Sequence, residues 1–233
     1  VSATGPDGGL PETTRVTFHI NDDPSRADAV PPDPATYPTE FGLPVVHIEH
    51  EGELRPADVP AGFHILGQRL EGEIKIRGAT SRIYPKNSYT LDFDGGDLDV
   101  PAWGEERGHL VLTSTFDDNS YVRQKLSYDV WAALGAQADP PRLDPRTFFC
   151  VVYLNAEYHG LYLASDRIDD EFVEQMGRDP AGELFKSTEH SANWDDVDGD
   201  GVAKSDLAEG WEKKEGFGMA ADPQDDDDDD DGG

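Results

Sequence analysis

The sequence predicts an α+β fold, an antiparallel β-sheet carrying one main helix. Three observations predict it. Several short runs rich in β-branched and aromatic residues alternate in polarity and are bounded by Gly, Pro, Asn or Asp, the pattern of strands half-buried in a sheet. One segment, DNSYVRQKLSYDVWAALG (118–135), instead repeats its apolar residues every fourth position, as a helix with one buried stripe does. Four Trp, eight Tyr and ten Phe in 233 residues supply one core, although only 36% of residues are apolar, and a chain with so many aromatics is not disordered throughout.

The elements follow in order. VSATGPDGGLPETT (1–14) is rich in Gly, Pro and Thr without an apolar period and is expected to be a disordered leader. RVTFHI (15–20) alternates and predicts a strand, and the next twenty residues carry five prolines and predict a loop. Strands are expected over VVHIEHEGEL (45–54), residues 72–76, SYTLDF (88–93) and HLVLTSTF (109–116). In the helix, Val122, Leu126, Val130 and Leu134 form the stripe expected to pack, with Asp118 or Asn119 to cap the start and Gly135 the end. TFFCVVYLNAEYHGLYLAS (147–165) predicts a hairpin turning between Asn155 and Gly160, and DDEFVEQMG (169–177) a short helix with Phe172, Val173 and Met176 on its apolar side. Beyond Lys186 the apolar signal fades into an acidic tail, 191–233, expected to be disordered and ending in the solvated run Asp225–Asp231. One domain over 15–190 is the organisation predicted.

Forty-nine acidic against nineteen basic residues give a formal charge of −30, which argues against nucleic acid or an anionic membrane as partner. The longest purely apolar run, FFCVVYL (148–154), has seven residues, whereas a spanning helix takes about 20. Cys150 is the single cysteine, so neither an intrachain disulfide nor a cysteine-based zinc site is available. The acidity fits a secreted or salty setting and equally fits plain solubility, and the expected state is a monomer.

Against that charge, residues 74–93, IKIRGATSRIYPKNSYTLDF, crowd together Lys75, Arg77, Arg82 and Lys86 beside Gly78, Thr80 and Ser81. Amides around a glycine, hydroxyl donors and guanidinium forks suit a di- or triphosphate, whose oxygens need donors and whose charge needs neutralising. Cations on so acidic a surface also serve simply to offset carboxylates. Asp196, Asp198, Asp200 and Gly201 match the opening of an EF-hand calcium loop, but the twelfth position is Leu207 where a bidentate Glu belongs. Calcium there and a merely solvated acidic loop both stay open. His47 and His50 face opposite sides of a strand, which removes them as a ligand pair.

RGxxSR…PKxSYxLxF (77–93), FDDNSYVRQKLSYDVW (116–131), NAEYHGLYLASDRID (155–169) and GELFK (182–186) stand in one order. Together they resemble the signature of the CotH family, atypical protein kinases first associated with bacterial spore coats. The resemblance covers about 16–190 and implies a two-lobed kinase-like fold that binds ATP with Mg or Mn and transfers its γ-phosphate to Ser or Thr of proteins. It implies that Arg77, Gly78, Ser81 and Arg82 form a strand-to-loop element at the nucleotide, with Lys86 the phosphate-contacting lysine and Lys186 a second. Asp117, Asp118, Asp129 and Asp166 are alternative acidic partners for such a lysine. Asp166 stands where the family carries Glu, and Asn87 where a second Lys is common. The family's catalytic and metal-binding aspartates lie in a lobe downstream of the GELFK segment, so the resemblance implies the N-terminal portion, the nucleotide lobe without its C-terminal lobe, and assigns no catalytic residue here. Such a portion is expected to be inactive alone, acting on or near a protein substrate or surface partner in the extracellular space or envelope of a bacterium. The alternative is a non-catalytic, secreted acidic binding or surface module whose tail associates with cations or basic partners.

Overall fold

The computed structural model describes residues 33–136 except 95, together with 138, 142–187, 192–193, 197, 202–203 and 210–215. The expected leader and the strand over 15–20 lie outside these residues. The strands are β1 (Thr39–Glu40), β2 (Leu43–His50), β3 (Val59–Ile65), β4 (Gln68–Arg77), β5 (Ser88–Asp94), β6 (Leu98–Val100), β7 (Glu105–Arg107) and β8 (His109–Thr113). After the helix α1 (Arg123–Gly135) come β9 (Thr147–Leu154), β10 (Glu157–Ser165), the helix α2 (Asp170–Gln175), β11 (Leu184–Ser187) and β12 (Trp211–Glu215).

The main sheet runs β1-β2-β3-β4-β5-β8-β10-β9, and β9 pairs back onto β2, so the sheet closes into a barrel-like arrangement. Mostly strand with one main helix, the fold is α+β as expected, but the sheet is not wholly antiparallel. The closing pair, Val45↔Val151 to Ile48↔Leu154, is parallel. The reason is legible in the side chains: Cys150, Val151, Val152 and Tyr153 are buried one after another, as are Val45, Val46, His47 and Ile48. Strands apolar on both faces are covered on both sides, and here one side faces the interior while the other packs Val45, Val151 and Tyr153 against Tyr37, Leu43 and Tyr158. Inside the closed sheet Ile48, Phe63, Ile74, Leu91, Leu110 and Tyr162 are at most 1% exposed, each such aliphatic or Phe side chain contributing roughly 1.5–3 kcal/mol.

Strand β3 completes the closure although its run VPAGFHI, interrupted by Pro60 and Gly62, gives little strand signal. The β9–β10 turn is tighter than expected: Asn155 and Ala156 both take positive φ, 48° and 68°, the two-residue loop that matches strand twist. Gly160 is not part of the turn but sits at an irregularity inside β10, with φ 99°.

Helix α1 departs most from expectation. It begins at Arg123, and Asp118, five residues earlier, accepts hydrogen bonds from the Arg123 amide at 2.9 Å and the Ser120 hydroxyl at 2.6 Å. Val122, Leu126, Val130 and Leu134, the stripe expected to pack, are 49–62% exposed. The half-buried positions are Gln124, Lys125, Tyr128 and Ala132, so the helix turns a largely polar face inward, above a cleft rather than a core. Helix α2 does pack: Asp169 accepts from the Phe172 amide at 2.9 Å, capping the first turn, and Phe172 and Val173 are buried. The sequence placed no element beyond Lys186, yet β12 pairs antiparallel with β11. No helix among the described residues is long and apolar enough to cross a membrane.

Candidate functional site: a polar cleft at the end of the sheet

Strand β4 alternates Ile74 and Ile76 toward the core with Lys75 and Arg77 on the other face. Lys75 is buried beside Asp58, 3.7 Å away, while Arg77 ends the strand at a cleft of about 450 Å³. Gly78 follows with φ 101°, and a Cβ there would lie 2.0 Å from Ser81 Oγ, so both the backbone and the close approach of Ser81 require glycine. Ser81 belongs to a 3₁₀ turn, Thr80–Ile83. Ser88 and Thr113 line the cleft from β5 and β8, and Ser165 and Asp166 from the end of β10. Gln124 and Tyr128 of α1 and Leu184, Phe185 and Lys186 of β11 complete the lining.

The cleft therefore gathers Arg77, Gly78, Ser81, Asp166 and Lys186, from three segments spread over more than 100 residues of sequence. Arg82 and Lys86 do not line it. Lys86 points into the barrel end instead: its Nζ donates to the Leu161 carbonyl at 2.6 Å and lies 4.3 Å from the Tyr162 ring centroid. Burial pulls its pKa down to about 8. The open backbone of Gly160 faces this ammonium, a Cβ there lying 3.5 Å from Nζ.

Besides Asp169, the cleft has Asp166 as an acidic group. Arg107 Nε donates to Oδ1 and the Arg146 amide to Oδ2, both at 2.7 Å, and the Arg107 and Asp166 side chains are 4% and 1% exposed. Burial raises its pKa, opposed by the hydrogen bond from Arg107. An adjoining hollow of about 360 Å³ shares Ser81, Ser88, Thr113 and Gln124 and adds Asp117, Asp118 and Arg123. The Ser120 hydroxyl holds the Asp118 carboxyl below its usual range. Asp129 lies apart, paired with Lys125 on the exposed side of α1. Most of the other lining residues were missed in the sequence, Arg167, Gln124 and Tyr128 among them. Arg167, next to Asp166, was readable as the residue just past a strand end, and Gln124 and Tyr128 share one helix face by their spacing of four.

Asp196, Asp198 and Asp200 lie outside the described residues. Among the described residues, His109, Asp169 and Glu171 offer ligand atoms within 4.8 Å of one another. The carboxylate of Asp92, and next that of Glu171, lift the His109 pKa to about 9.

Residues 74–228 match the family model described as CotH kinase protein. This stretch begins inside β4 and takes in the whole cleft. The chain is also similar to the inner spore coat protein H of Bacillus subtilis (strain 168), 28% identical over 159 residues, 68% of this chain. It spans 41% of that relative's length. With the matched stretch covering more than half of its residues, the chain belongs to the CotH family.

Proposed function

We propose that the cleft binds the triphosphate of ATP with Mg or Mn, and that the chain carries the nucleotide-binding part of an ATP-dependent kinase acting on Ser or Thr of proteins. One observation carries this reading: Arg77, Gly78, Ser81 and Lys186 converge with Arg167 on a single cleft in a protein whose net charge is −30. Phosphoryl transfer is chiefly positioning and charge neutralisation, so a site of this kind is built from fixed cations, amides and hydroxyls. Arg77, Arg167 and Lys186 neutralise the phosphates, Ser81 and Ser88 supply hydroxyl donors, and the glycine brings backbone close to the ligand. Asp166, fixed by Arg107, holds the end of β10 at the cleft. Leu184, Phe185 and Ile168 give an apolar wall for the base.

The metal carries charge on the phosphates when bound, and Asp117 and Asp118 in the adjoining hollow are the carboxylates placed to hold it. Lys86 keeps the barrel end in shape and does not touch the nucleotide. Membership in the family and the coat location named for the Bacillus relative support an envelope or coat setting in a bacterium, with a surface protein as phosphoacceptor.

Calorimetric titration of the 233-residue chain with ATP and Mg²⁺ or Mn²⁺ tests this. Lys186→Ala and Arg77→Ala are expected to weaken binding at least tenfold each, and Lys86→Met to leave it within about twofold provided the variant is folded; a tenfold change is about 1.4 kcal/mol. Equal heats in wild type, Lys186→Ala and Arg77→Ala would remove the cleft as the nucleotide site.

A further inference from the structure

At the edge of the cleft, whose lining includes Asp169, His109 opens β8, Asp169 caps α2 and Glu171 sits in its first turn. The buried Nδ1 of His109 makes no hydrogen bond, and lies 3.6 Å from Asp169 Oδ2 and 3.5 Å from Glu171 Oε2. Both carboxylates are oriented by other donors through their second oxygen. Asp169 Oδ1 accepts from the Phe172 amide at 2.9 Å, and Glu171 Oε1 from Gln175 Nε2 at 2.6 Å. The Gly108 amide reaches Glu171 Oε1 and Oε2 at 3.2 and 3.3 Å, and Arg167 Nε stands 3.7 Å from Asp169 Oδ2. On the far side of the ring, Nε2 lies 3.3 Å from Asp92 Oδ2.

We propose that His109 Nδ1, Asp169 Oδ2 and Glu171 Oε2 form a binding site for a divalent transition metal of the zinc class. Ligand atoms about 2.0–2.2 Å from a tetrahedral ion stand about 3.4 Å from one another, close to the two distances from His109 Nδ1, and the three ligand atoms all lie within 4.8 Å of one another. One imidazole with two carboxylates favours zinc, cobalt or manganese over calcium or magnesium, which take oxygen ligands. A carboxylate on the second nitrogen of a ligating histidine fixes the ring and raises its basicity, the part Asp92 plays. The three ligands come from β8, from the segment that follows the cleft wall at Asp166, and from α2, so a bound ion ties that wall to the sheet. Asp169 also lines the cleft and its Oδ2 stands beside Arg167, but none of the three ligands is assigned to the phosphates.

The test uses metal alone. Zn²⁺ is titrated into the full chain by calorimetry without nucleotide, and Co²⁺ binding is followed by visible absorption, for wild type, His109→Gln, Glu171→Gln and Asp92→Asn. One tight equivalent is expected in wild type, above weaker uptake by other carboxylates common to all variants. His109→Gln and Glu171→Gln are expected to weaken it more than tenfold, and Asp92→Asn by about tenfold. Zn²⁺ should also shift one of the seven histidines stoichiometrically in imidazole ¹⁵N spectra of the wild type, a readout that needs no folded variant. Identical titrations for wild type and both ligand variants, a Co²⁺ spectrum of oxygen ligands only, or no stoichiometric imidazole shift would overturn the site.

Discussion

Replacing one partner of the Arg107–Asp166 pair probes how the cleft is held. At 2.7 Å and an effective dielectric constant near 20, two unit charges attract by about 6 kcal/mol, while withdrawing each ion from water costs several kcal/mol. The attraction and the two desolvation costs nearly cancel, which agrees with burial being the larger influence on Asp166. Breaking the pair from one side removes the attraction and keeps one of the costs. Asp166→Asn leaves Arg107 buried against an amide, and Arg107→Met leaves Asp166 with only the Arg146 amide and the Arg146 charge nearby; each is expected to destabilise by about 3–5 kcal/mol. The double variant removes both charges, keeps an acceptor for Arg146, and should cost less than about 2 kcal/mol. Urea unfolding followed by tryptophan fluorescence gives all four stabilities, and equal slopes across them make the cycle valid. A double-variant cost equal to the sum of the singles would refute the argument that each single cost comes from splitting this ion pair.

Gly78→Ala is expected to destabilise by about 1–3 kcal/mol, since a side chain at φ 101° is strained. Gly78→Ala/Ser81→Ala would relieve the contact but not the backbone, so full recovery in the double variant would contradict the account; both are measured by urea unfolding. Lys86 loses its proton near pH 8 in the fold against 10.5 ordinarily. Between these values the unfolded chain binds more protons, so stability should rise with pH. Lys86→Met should lose this increment, and parallel stability profiles for the two proteins between pH 8 and 10.5 would show that the buried lysine is not titrating as described. Ala156→Gly in the β9–β10 turn should raise the melting temperature, because alanine there holds φ 68°; the gain is about 0.4–1 kcal/mol, and an unchanged or lower melting temperature would argue against strain at that position.

Much of the sheet was legible because its strands follow local rules. Ser88–Asp94 and Thr147–Ser165 declare themselves by alternation, by a continuous apolar run and by a turn. The closure was not legible. The parallel partner of β9 lies more than 100 residues earlier in β2, and nothing in FFCVVYL says which strand covers its second edge. Strand β3 hides behind Pro60 and Gly62, and β12, in WEKKE, is too polar to read as a strand before its partner β11 is known. Helix α1 misled because its period was real while its environment was not readable. An apolar stripe normally seeks a core, but here the tether from Asp118 to the Arg123 amide sets where the helix begins, and Gln124 and Tyr128 face inward.

The cleft was half legible for a similar reason. Gly78 and Ser81 are three positions apart, and their cluster of donors could be seen in the sequence, whereas Arg167 and Tyr128 join only through the fold. Lys86 carries the right chemistry in the right neighbourhood, but its ammonium goes to the Leu161 carbonyl and the Tyr162 ring instead.

Backbone amide spectra recorded while ATP and Mg²⁺ are added to the isotopically labelled chain test the central claim most directly. The account predicts saturable shifts centred on Gly78, Ser81, Arg167 and Lys186, with the amides around Lys86 and Leu161 nearly still. Shifts centred on Lys86 and Tyr162 with Gly78 and Lys186 unmoved, or no saturable shift anywhere, would contradict it.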